Sequence, residues 1–267
     1  MKGNKDAPPV RPGDSLQQES EWPEIVRRVR NRTPARLLVG RAGAAYRTST
    51  QVELREAHAA ARDAVRTELD LARDFPGAFV EGWKLFEVSS RATSKDEYLL
   101  RPDLGRQFSD ASRAEILRRC SASNHLQIAI GDGLSVTAVA AQVPRLLPLI
   151  YGGAATRGWS VGQSFVIRHC RVGILNEVGE LLRPRVAILL IGERPGLATA
   201  ESLSAYMAFS PRAGHTDAER NLISNIHARG LSPERAAARI LNLAEQMMKN
   251  GASGYRLREE PPKIGPV

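Results

Sequence analysis

Hydrophobic positions recur at helical spacing over the first half of the chain and change to short apolar runs in the second half. The longest helical pattern covers Ser49–Phe75, where apolar side chains are interspersed among Ala, Arg and Glu. Thr50, Ser94 and Ser112 each stand three positions before a glutamate, which is the spacing of a capping box at a helix start. The pattern therefore predicts helices that begin at these three residues.

Beyond residue 120, apolar runs of strand length alternate with stretches at helical spacing. The strand-like runs are Leu126–Gly133, Ser164–Ile174, Arg185–Gly192 and Ser204–Ser210. Such alternation is typical of a parallel sheet wrapped by helices. The sequence predicts an α/β fold with a Rossmann-like C-terminal sheet, preceded by a smaller helical N-terminal domain and a flexible N-terminal tail.

Composition divides the chain into four parts. Residues 1–34 are rich in Pro, Gly, Glu and Gln and predict the tail, within which Glu21–Arg32 has the pattern of a short amphipathic helix. Residues 35–120 predict the helical domain, residues 121–260 the α/β domain, and residues 261–267 a C-terminal tail. The last predicted helix has Ser232 at its N-cap, Pro233 in its first turn and Gly251 at its stop.

Several charged side chains stand where predicted strands end. Asp132 and the pair Glu193–Arg194 directly follow two strands, and Val172 lies late in a third. Ligands of open α/β sheets bind beyond the carboxyl ends of the strands, so we expect these residues to meet at one edge. Because Pro195 and Gly196 restrict the turn that follows, we interpret the charged pair as a preorganised ligand grip.

Charge and cysteine content narrow the function classes. The 38 Lys and Arg against 29 Asp and Glu give a net charge of +9, but the basic residues are spread over helical faces and aromatics are only 5% of the chain. Nucleic-acid binding, which calls for clustered basic side chains, is therefore not favoured. No apolar run approaches the roughly 18 residues of a membrane span. The polar N-terminus and two distant cysteines predict a cytosolic chain without a secretory signal.

Two glycine motifs partly match known binding loops. The stretch "GDGLSV" begins like a dinucleotide fingerprint, but Val136 replaces the third glycine. Its alternative interpretation is a tight turn in which Asp132 caps the next helix. The stretch "GERPGLAT" lacks the Lys-Ser/Thr pair of a phosphate loop, and its alternative is a surface ion pair in a Pro-Gly turn. The histidine and cysteine spacing fits no metal site, and no residue is identified as catalytic.

Five stretches taken in order are more specific than any one of them: "TPARLLVGRAG", "SKDEYLLRPDLGR", "IGDGLS", "LLIGERPGL" and "SNIHARGLS". The series resembles the small (light) subunit of ethanolamine ammonia-lyase, the adenosylcobalamin-dependent enzyme of bacterial ethanolamine use. The resemblance covers about Arg32 to Glu259. It implies that the enzyme converts ethanolamine to acetaldehyde and ammonia, and that a separate large subunit with a TIM barrel holds the substrate.

The resemblance also implies where the cofactor lies. Adenosylcobalamin (coenzyme B12) is expected between the two subunits, in a complex of six large and six small chains. The implied cofactor-binding residues are Val172, Glu193 and Leu222, of which the last replaces a cysteine common in the family. Leu222 serves if the contact is made by backbone or packing, and the contact is lost if it needs sulfur. The location implied is the bacterial cytoplasm, within an ethanolamine-utilisation microcompartment where the N-terminal segment acts as an address.

Two alternatives of other classes stay open at the level of sequence. A stand-alone nucleotide-binding α/β module would use "GDGLS" and "GERPGL" on phosphate. An interaction subunit would bind no small ligand of its own. The stretch "SNIH" (Ser224–His227) is interpreted either as a polar helix end between two helical pieces or as a hydrogen-bonding edge near a ligand.

Overall fold

A computed structural model of the chain describes residues 23–32, 41–195 and 199–259. Most of the predicted N-terminal tail, all of the C-terminal tail and Gly196 of the predicted Pro-Gly turn lie outside the described residues. The chain forms two compact units, Met1–Arg55 and Glu56–Val267. No helix in the described ranges is both long and apolar enough to cross a membrane.

Eight strands are found in the described residues: β1 (Arg41–Ala42), β2 (Ala45–Tyr46), β3 (Glu87–Ser89), β4 (Leu126–Gly131), β5 (Phe165–Arg168), β6 (Val186–Gly192), β7 (Leu203–Phe209) and β8 (Asn221–Ile226). Nine α-helices are found in the same ranges: α1 (Glu24–Arg30), α2 (Thr48–Arg66), α3 (Leu71–Asp74), α4 (Gly77–Gly82), α5 (Lys95–Leu100), α6 (Asp110–Arg119), α7 (Val136–Thr156), α8 (Leu175–Leu182) and α9 (Pro233–Asn250).

The first unit contains α1, a small ribbon and the beginning of α2. Helix α1 forms inside the segment for which the sequence predicts an amphipathic helix. Strands β1 and β2 pair in antiparallel fashion, and Gly43 in the turn between them adopts a positive φ of 62°. A residue without a side chain is favoured at such a position because the left-handed region strains other residues.

The second unit is built around a six-stranded sheet of order β3-β5-β4-β6-β7-β8. Strands β3, β5, β4 and β6 are parallel, as predicted for the α/β domain. Strands β7 and β8 instead run antiparallel to their neighbours, so the sheet is mixed where the alternation indicated a parallel sheet. The connection from β6 to β7 is too short for the helical crossover that a parallel neighbour requires.

Helices cover both faces of this sheet. On one face, which we call the α7 face, helices α7 and α9 bury Ile128, Ile188 and Leu190. On the other, the α8 face, helices α6 and α8 bury Ala129 and Leu189. Every residue of β4 and β6 is buried, which explains why β6 reads as a continuous apolar run and β4 as one interrupted only by Gln127. The fold is the predicted α/β sheet flanked by helices.

The predicted helix boundaries are partly confirmed. Ser94 caps α5, and Ser232 caps α9, which has Pro233 in its first turn and ends at Gly251 in the left-handed conformation. The other two capping predictions are wrong, because α2 already begins at Thr48 and Ser109 caps α6.

The region 35–120 is not helical throughout, since it also supplies β3 to one edge of the sheet. Ser112, predicted as a cap, helps to hold this strand, because its Oγ accepts the backbone N–H of Ser89 at 2.9 Å. The domain boundaries drawn at residues 34, 120 and 260 stay a prediction.

Candidate functional site

The α8 face becomes less covered towards the outer strands of the sheet. Leu189 of β6, Tyr206 of β7 and Leu222 of β8 are register partners in neighbouring strands, so their side chains share one face. Leu189 is fully buried, Tyr206 is half-buried and Leu222 is 45% exposed. The face over β7 and β8 is therefore an accessible surface of the second unit, and Leu222 is an exposed apolar residue on it.

Glu193 directly follows β6, at the end of this surface where β6 ends, and its carboxylate accepts three hydrogen bonds. The Ser202 hydroxyl donates to Oε2 at 2.6 Å, the Ser204 hydroxyl donates to Oε1 at 2.5 Å, and the backbone N–H of Asn225 donates to Oε1 at 3.0 Å. Ser204 is the register partner of Ile191, which belongs to the α8-face core. Glu193 therefore lies on the same face as Leu222.

The two members of the predicted charged pair, Glu193 and Arg194, have different surroundings. Arg194 is exposed, and the partners of the Glu193 carboxylate within the described part of the chain are two serines and a backbone amide. These donors come from β7, the residue before it, and β8, so their pairing with Glu193 depends on strand register. The alternating pattern Ser-Leu-Ser at 202–204 is the sequence signal that was missed, because it puts both hydroxyls on one face.

The "SNIH" stretch is part of strand β8 and the turn after it, so its predicted place between two helical pieces is wrong. Asn225 has a positive φ of 61°, and its side-chain oxygen contacts Nε2 of His227 at 2.7 Å. The backbone N–H of Arg229 donates to Nδ1 of the same ring at 3.3 Å. Burial lowers the pKa of His227, and the Arg229 cation lowers it further, so the neutral ring is favoured.

Val172 does not lie in a strand as predicted. Strand β5 ends at Arg168, His169 turns the chain with a φ of 54°, and Val172 opens a short 3-10 helix, Val172–Ile174. The turn is held by Asp132, whose carboxylate accepts the backbone N–H groups of His169 at 2.9 Å and Cys170 at 2.8 Å. The left-handed backbone of His169, held by these two hydrogen bonds, turns the chain out of the sheet, which accounts for the difference.

Asp132 has a structural role rather than the capping role that was one interpretation of "GDGLSV". It is fully buried and forms an ion pair with the buried Lys95 at 3.5 Å. Ser135 caps α7 instead, by accepting the N–H of Ala138 at 3.2 Å.

The backbone of "GDGLSV" is also engaged by the second glycine motif, because the N–H of Leu134 donates to the carbonyl of Gly192 at 3.1 Å. An N–H that is already paired is not available to a phosphate group, which weighs against the nucleotide alternative.

A cleft of about 590 Å³ lies beside Val172. Its polar lining includes Arg106, Arg171, Asn176, His215, Asp217 and Arg220. Three buried atoms of this lining have no hydrogen-bond partner among the described residues: Nε of Arg171, Nδ1 of His215 and Nε of Arg220. Buried polar atoms are rarely left unpaired, so the cleft is suited to a ligand or waters that carry hydrogen-bond acceptors and donors.

The charges around this cleft have identifiable partners and effects. Arg220 forms an ion pair with Asp217 and donates to the Asn176 side chain at 2.9 Å. The Arg171 guanidinium stacks on the Tyr98 ring at 4.2 Å from its centroid. Burial lowers the pKa of His215, and the Arg212 cation adds to this, so its ring is neutral at neutral pH. The cleft is thus a rigid polar cavity with spare donors.

Val172, Glu193 and Leu222 lie on the same face of the sheet. Val172 packs against the α8-face core, as does Tyr206, the register partner of Leu222. Burial raises the pKa of Tyr206, and the negative charges of Asp217, which lines the cleft, and of Glu193 raise it further. The cleft and the surface over β7 and β8 are therefore neighbouring parts of one face.

A metal site is not found on this face. Within the described ranges, no group of three His, Cys, Asp or Glu side chains is placed to hold a metal ion. Cys120 and Cys170 are both free and buried, and burial raises the pKa of Cys120 to about 11. A thiol with a raised pKa is a weak nucleophile at neutral pH.

Comparison with known proteins gives a consistent result over most of the chain. The family model for the ethanolamine ammonia-lyase light chain (EutC) matches residues 23–258. Proteins named ethanolamine ammonia-lyase small subunit are similar throughout this range. The one from Clostridium perfringens is 43% identical over 227 residues, which cover 85% of this chain and 75% of that protein. The one from Fusobacterium nucleatum is 40% identical over 229 residues, covering 86% and 76%.

Proposed function

Because the chain belongs to the family of ethanolamine ammonia-lyase light chains, we propose that it covers adenosylcobalamin at the interface with a large subunit. It is then the non-catalytic small subunit of a two-subunit lyase that converts ethanolamine to acetaldehyde and ammonia. The cofactor supplies the radical chemistry through homolysis of its cobalt–carbon bond. The residues of this chain bind and orient the cofactor and exclude water from it.

The observation that carries this proposal is the half-buried carboxylate of Glu193 with its three donors. A carboxylate offers about four acceptor sites, so three hydrogen bonds leave one free. The rim of a corrin carries amide side chains, whose N–H groups are suited to that remaining site. A hydrogen bond to a charged acceptor is stronger than one between neutral groups. Glu193 is therefore suited to hold one amide of the corrin rim.

The cleft beside Val172 supports the same proposal. Arg106, Arg171 and Arg220 line the cleft, and guanidinium N–H groups are suited to amide oxygens of the corrin rim. Val172 lies next to these donors and offers apolar contact. A ligand with both amide groups and apolar edges fits a surface of this mixed character.

Leu222 contributes by packing. It is an exposed apolar residue on a sheet face and replaces a cysteine common in the family. Apolar surface of this kind is stabilised when a large ligand or a partner chain covers it. We propose that Leu222 keeps its family role through packing, without the polarity of sulfur.

The finer assembly rests on family likeness. We propose that the partner is a large subunit with a TIM barrel that holds the substrate, and that six large and six small chains form the complex. The same likeness suggests a bacterial cytoplasmic location, with the N-terminal segment as an address to an ethanolamine-utilisation microcompartment.

Replacement of Glu193 tests the cofactor role. We expect Glu193→Ala, in the complex assembled with the large subunit, to raise the Kd of cyanocobalamin at least tenfold, because a hydrogen bond to a charged group contributes about 1.5–3 kcal/mol. Equilibrium dialysis measures this Kd without turnover. The matched control is Glu234→Ala, which removes an exposed glutamate from the first turn of α9. Equal affinities for Glu193→Ala and the control would refute the cofactor role.

The division of labour between the subunits has a separate test. We expect the purified chain alone to turn over no ethanolamine, and activity to appear only when the large subunit is added. Calorimetry with ATP or NAD on the isolated chain checks the nucleotide alternative, for which we expect no binding heat. Ethanolamine turnover by the isolated chain would contradict the proposed division.

A further inference from the structure

We infer that Asn225 and His227 position the Glu193 carboxylate for the cofactor, an inference that rests on the proposed function. Neither residue is expected to touch the reacting atoms. Their role is to fix the backbone N–H of Asn225, which donates to Oε1 of Glu193 at 3.0 Å. They are therefore positioning residues, one near the end of strand β8 and one in the turn after it.

The conformation of Asn225 is the first step of the argument. Its φ of 61° lies in the left-handed region, which costs free energy for a residue with a side chain. Asparagine adopts this region more readily than most residues because its side chain can hydrogen-bond locally. In this conformation the backbone N–H of Asn225 donates to the Glu193 carboxylate. A contact that holds Asn225 in place therefore also holds the third donor of Glu193.

His227 supplies that contact. Its ring is buried, with only 3% of the residue exposed, and it makes two hydrogen bonds. The backbone N–H of Arg229 donates to Nδ1, so the proton of the neutral ring lies on Nε2 and is donated to the side-chain oxygen of Asn225 at 2.7 Å. One tautomer satisfies both bonds. The ring thus connects the turn at Arg229 to Asn225.

The turn around the ring is closed by backbone contacts. The N–H of Leu231 donates to the carbonyl of Asn225 at 2.8 Å, and the N–H of His227 donates to the carbonyl of Leu231 at 3.1 Å. A Cβ on Gly230 would lie 2.7 Å from Nε2 of His227 and 2.4 Å from the carbonyl oxygen of Asn225, so only glycine fits. The ring therefore has little freedom to leave Asn225.

Protonation of His227 breaks this arrangement. A second proton would bind Nδ1 of the ring. Nδ1 would then no longer accept the backbone N–H of Arg229, and the two hydrogens would face each other. The charged groups that act on the ring are Arg229 in the same turn, Glu193 after β6 and Glu201 before β7. The pKa of His227 is lowered mainly by burial, so the neutral form persists below the ordinary value of 6.5. The neutral His227 ring therefore holds Asn225 at neutral pH, and this contact is lost as the pH falls through the lowered pKa of His227.

The experiment measures cyanocobalamin affinity in the assembled complex by equilibrium dialysis between pH 8 and pH 5.5. We expect Asn225→Gly, which keeps the positive φ accessible but removes the side chain, to raise the Kd about tenfold at pH 8. His227→Phe is expected to act in the same way. His227→Gln keeps a donor near the position of Nε2 and is expected to stay within about threefold of the unchanged chain.

The pH dependence separates positioning from a general structural role. The affinity of the unchanged complex is expected to fall from pH 8 to pH 5.5, by less than about tenfold because the pKa of His227 lies below 6.5. His227→Gln does not titrate and is expected to show a smaller fall. The KM for adenosylcobalamin should follow the Kd, while kcat at saturating cofactor stays unchanged. His125→Phe is the matched control. His125 directly precedes β4, at the opposite end of the strands from Glu193, and its Nδ1 hydrogen-bonds the hydroxyl of Ser160.

Glu193→Gln, measured in parallel, distinguishes failure of this inference from failure of the proposed function. If Glu193→Gln weakens binding while Asn225→Gly does not, the positioning role is wrong and the cofactor role stands. If neither weakens binding, the proposed function itself fails. If His227→Phe does not assemble, Asn225→Gly and the pH profile of His227→Gln decide the question. An identical pH profile for His227→Gln and the unchanged chain overturns the inference.

Discussion

Asp132→Ala is expected to lower the free energy of unfolding by about 3–5 kcal/mol, because it leaves a buried ammonium without its counter-charge. Asp132 is fully buried, and its partner Lys95 is 6% exposed. The variant also leaves the N–H groups of His169 and Cys170 without an acceptor. Since these two residues turn the chain towards Val172, we expect the variant to disorder the cleft as well as to destabilise the fold.

Urea denaturation of the purified chain, followed by circular dichroism, measures this effect. Asp103→Ala is the control, because Asp103 forms an exposed ion pair with Arg101, and we expect no measurable change from it. The double variant Asp132→Ala with Lys95→Met should recover part of the loss, since it removes the uncompensated charge. A loss for Asp132→Ala no larger than that of the control would show that the buried pair does not stabilise the turn.

The sequence predicted those parts of the fold that depend on local pattern. Strands β4 and β6 are buried on both faces and therefore read as apolar runs that end at glycine, with Gln127 of β4 as the one polar residue. Helix α9 carries its cap, its first-turn proline and its terminal glycine within its own residues. Strand β3 could not be found in this way, because it has three residues, lies at the sheet edge and buries only Val88.

The candidate site was predictable in position but not in its contacts. Glu193 follows an apolar run, so its place at a strand end could be read directly. Its donors are Ser202 directly before β7, Ser204 in β7 and Asn225 in β8, and their approach depends on the antiparallel register of these two strands. The alternation of apolar and polar residues within a strand does not show which strands are neighbours, so this register could not be predicted from it.

The course of the chain at Val172 depends on tertiary contacts in the same way. The run "SFVIRHC" is rich in β-branched and apolar residues and therefore predicts a longer strand than the structure has. The turn at His169 is stabilised by Asp132, a residue far away in sequence. Local propensity is overridden here by a buried carboxylate, and this contact directs Val172 towards the cleft.

Gly192→Ala is expected to lower the free energy of unfolding by about 3 kcal/mol, because an added methyl group would overpack the junction of the two glycine motifs. A Cβ at Gly192 would lie 2.0 Å from the carbonyl oxygen of Ser135 and 2.8 Å from that of Asp132. Both atoms belong to the backbone that leads into α7, so neither can move aside as a flexible side chain would. The displacement would also move Glu193, the next residue along the chain.

The measurement is again urea denaturation, with cyanocobalamin affinity of the assembled complex as a second readout. Gly152→Ala is the matched control, because Gly152 lies inside α7 and a Cβ there would meet nothing within 4 Å. We expect this control to stabilise the chain by about 0.5–1 kcal/mol, since alanine is favoured over glycine in a helix. The same substitution should thus have opposite signs at the two positions. If both substitutions raised the free energy of unfolding, or both lowered it, the close approach of the two glycine motifs would be contradicted. The position of Glu193 depends on that approach.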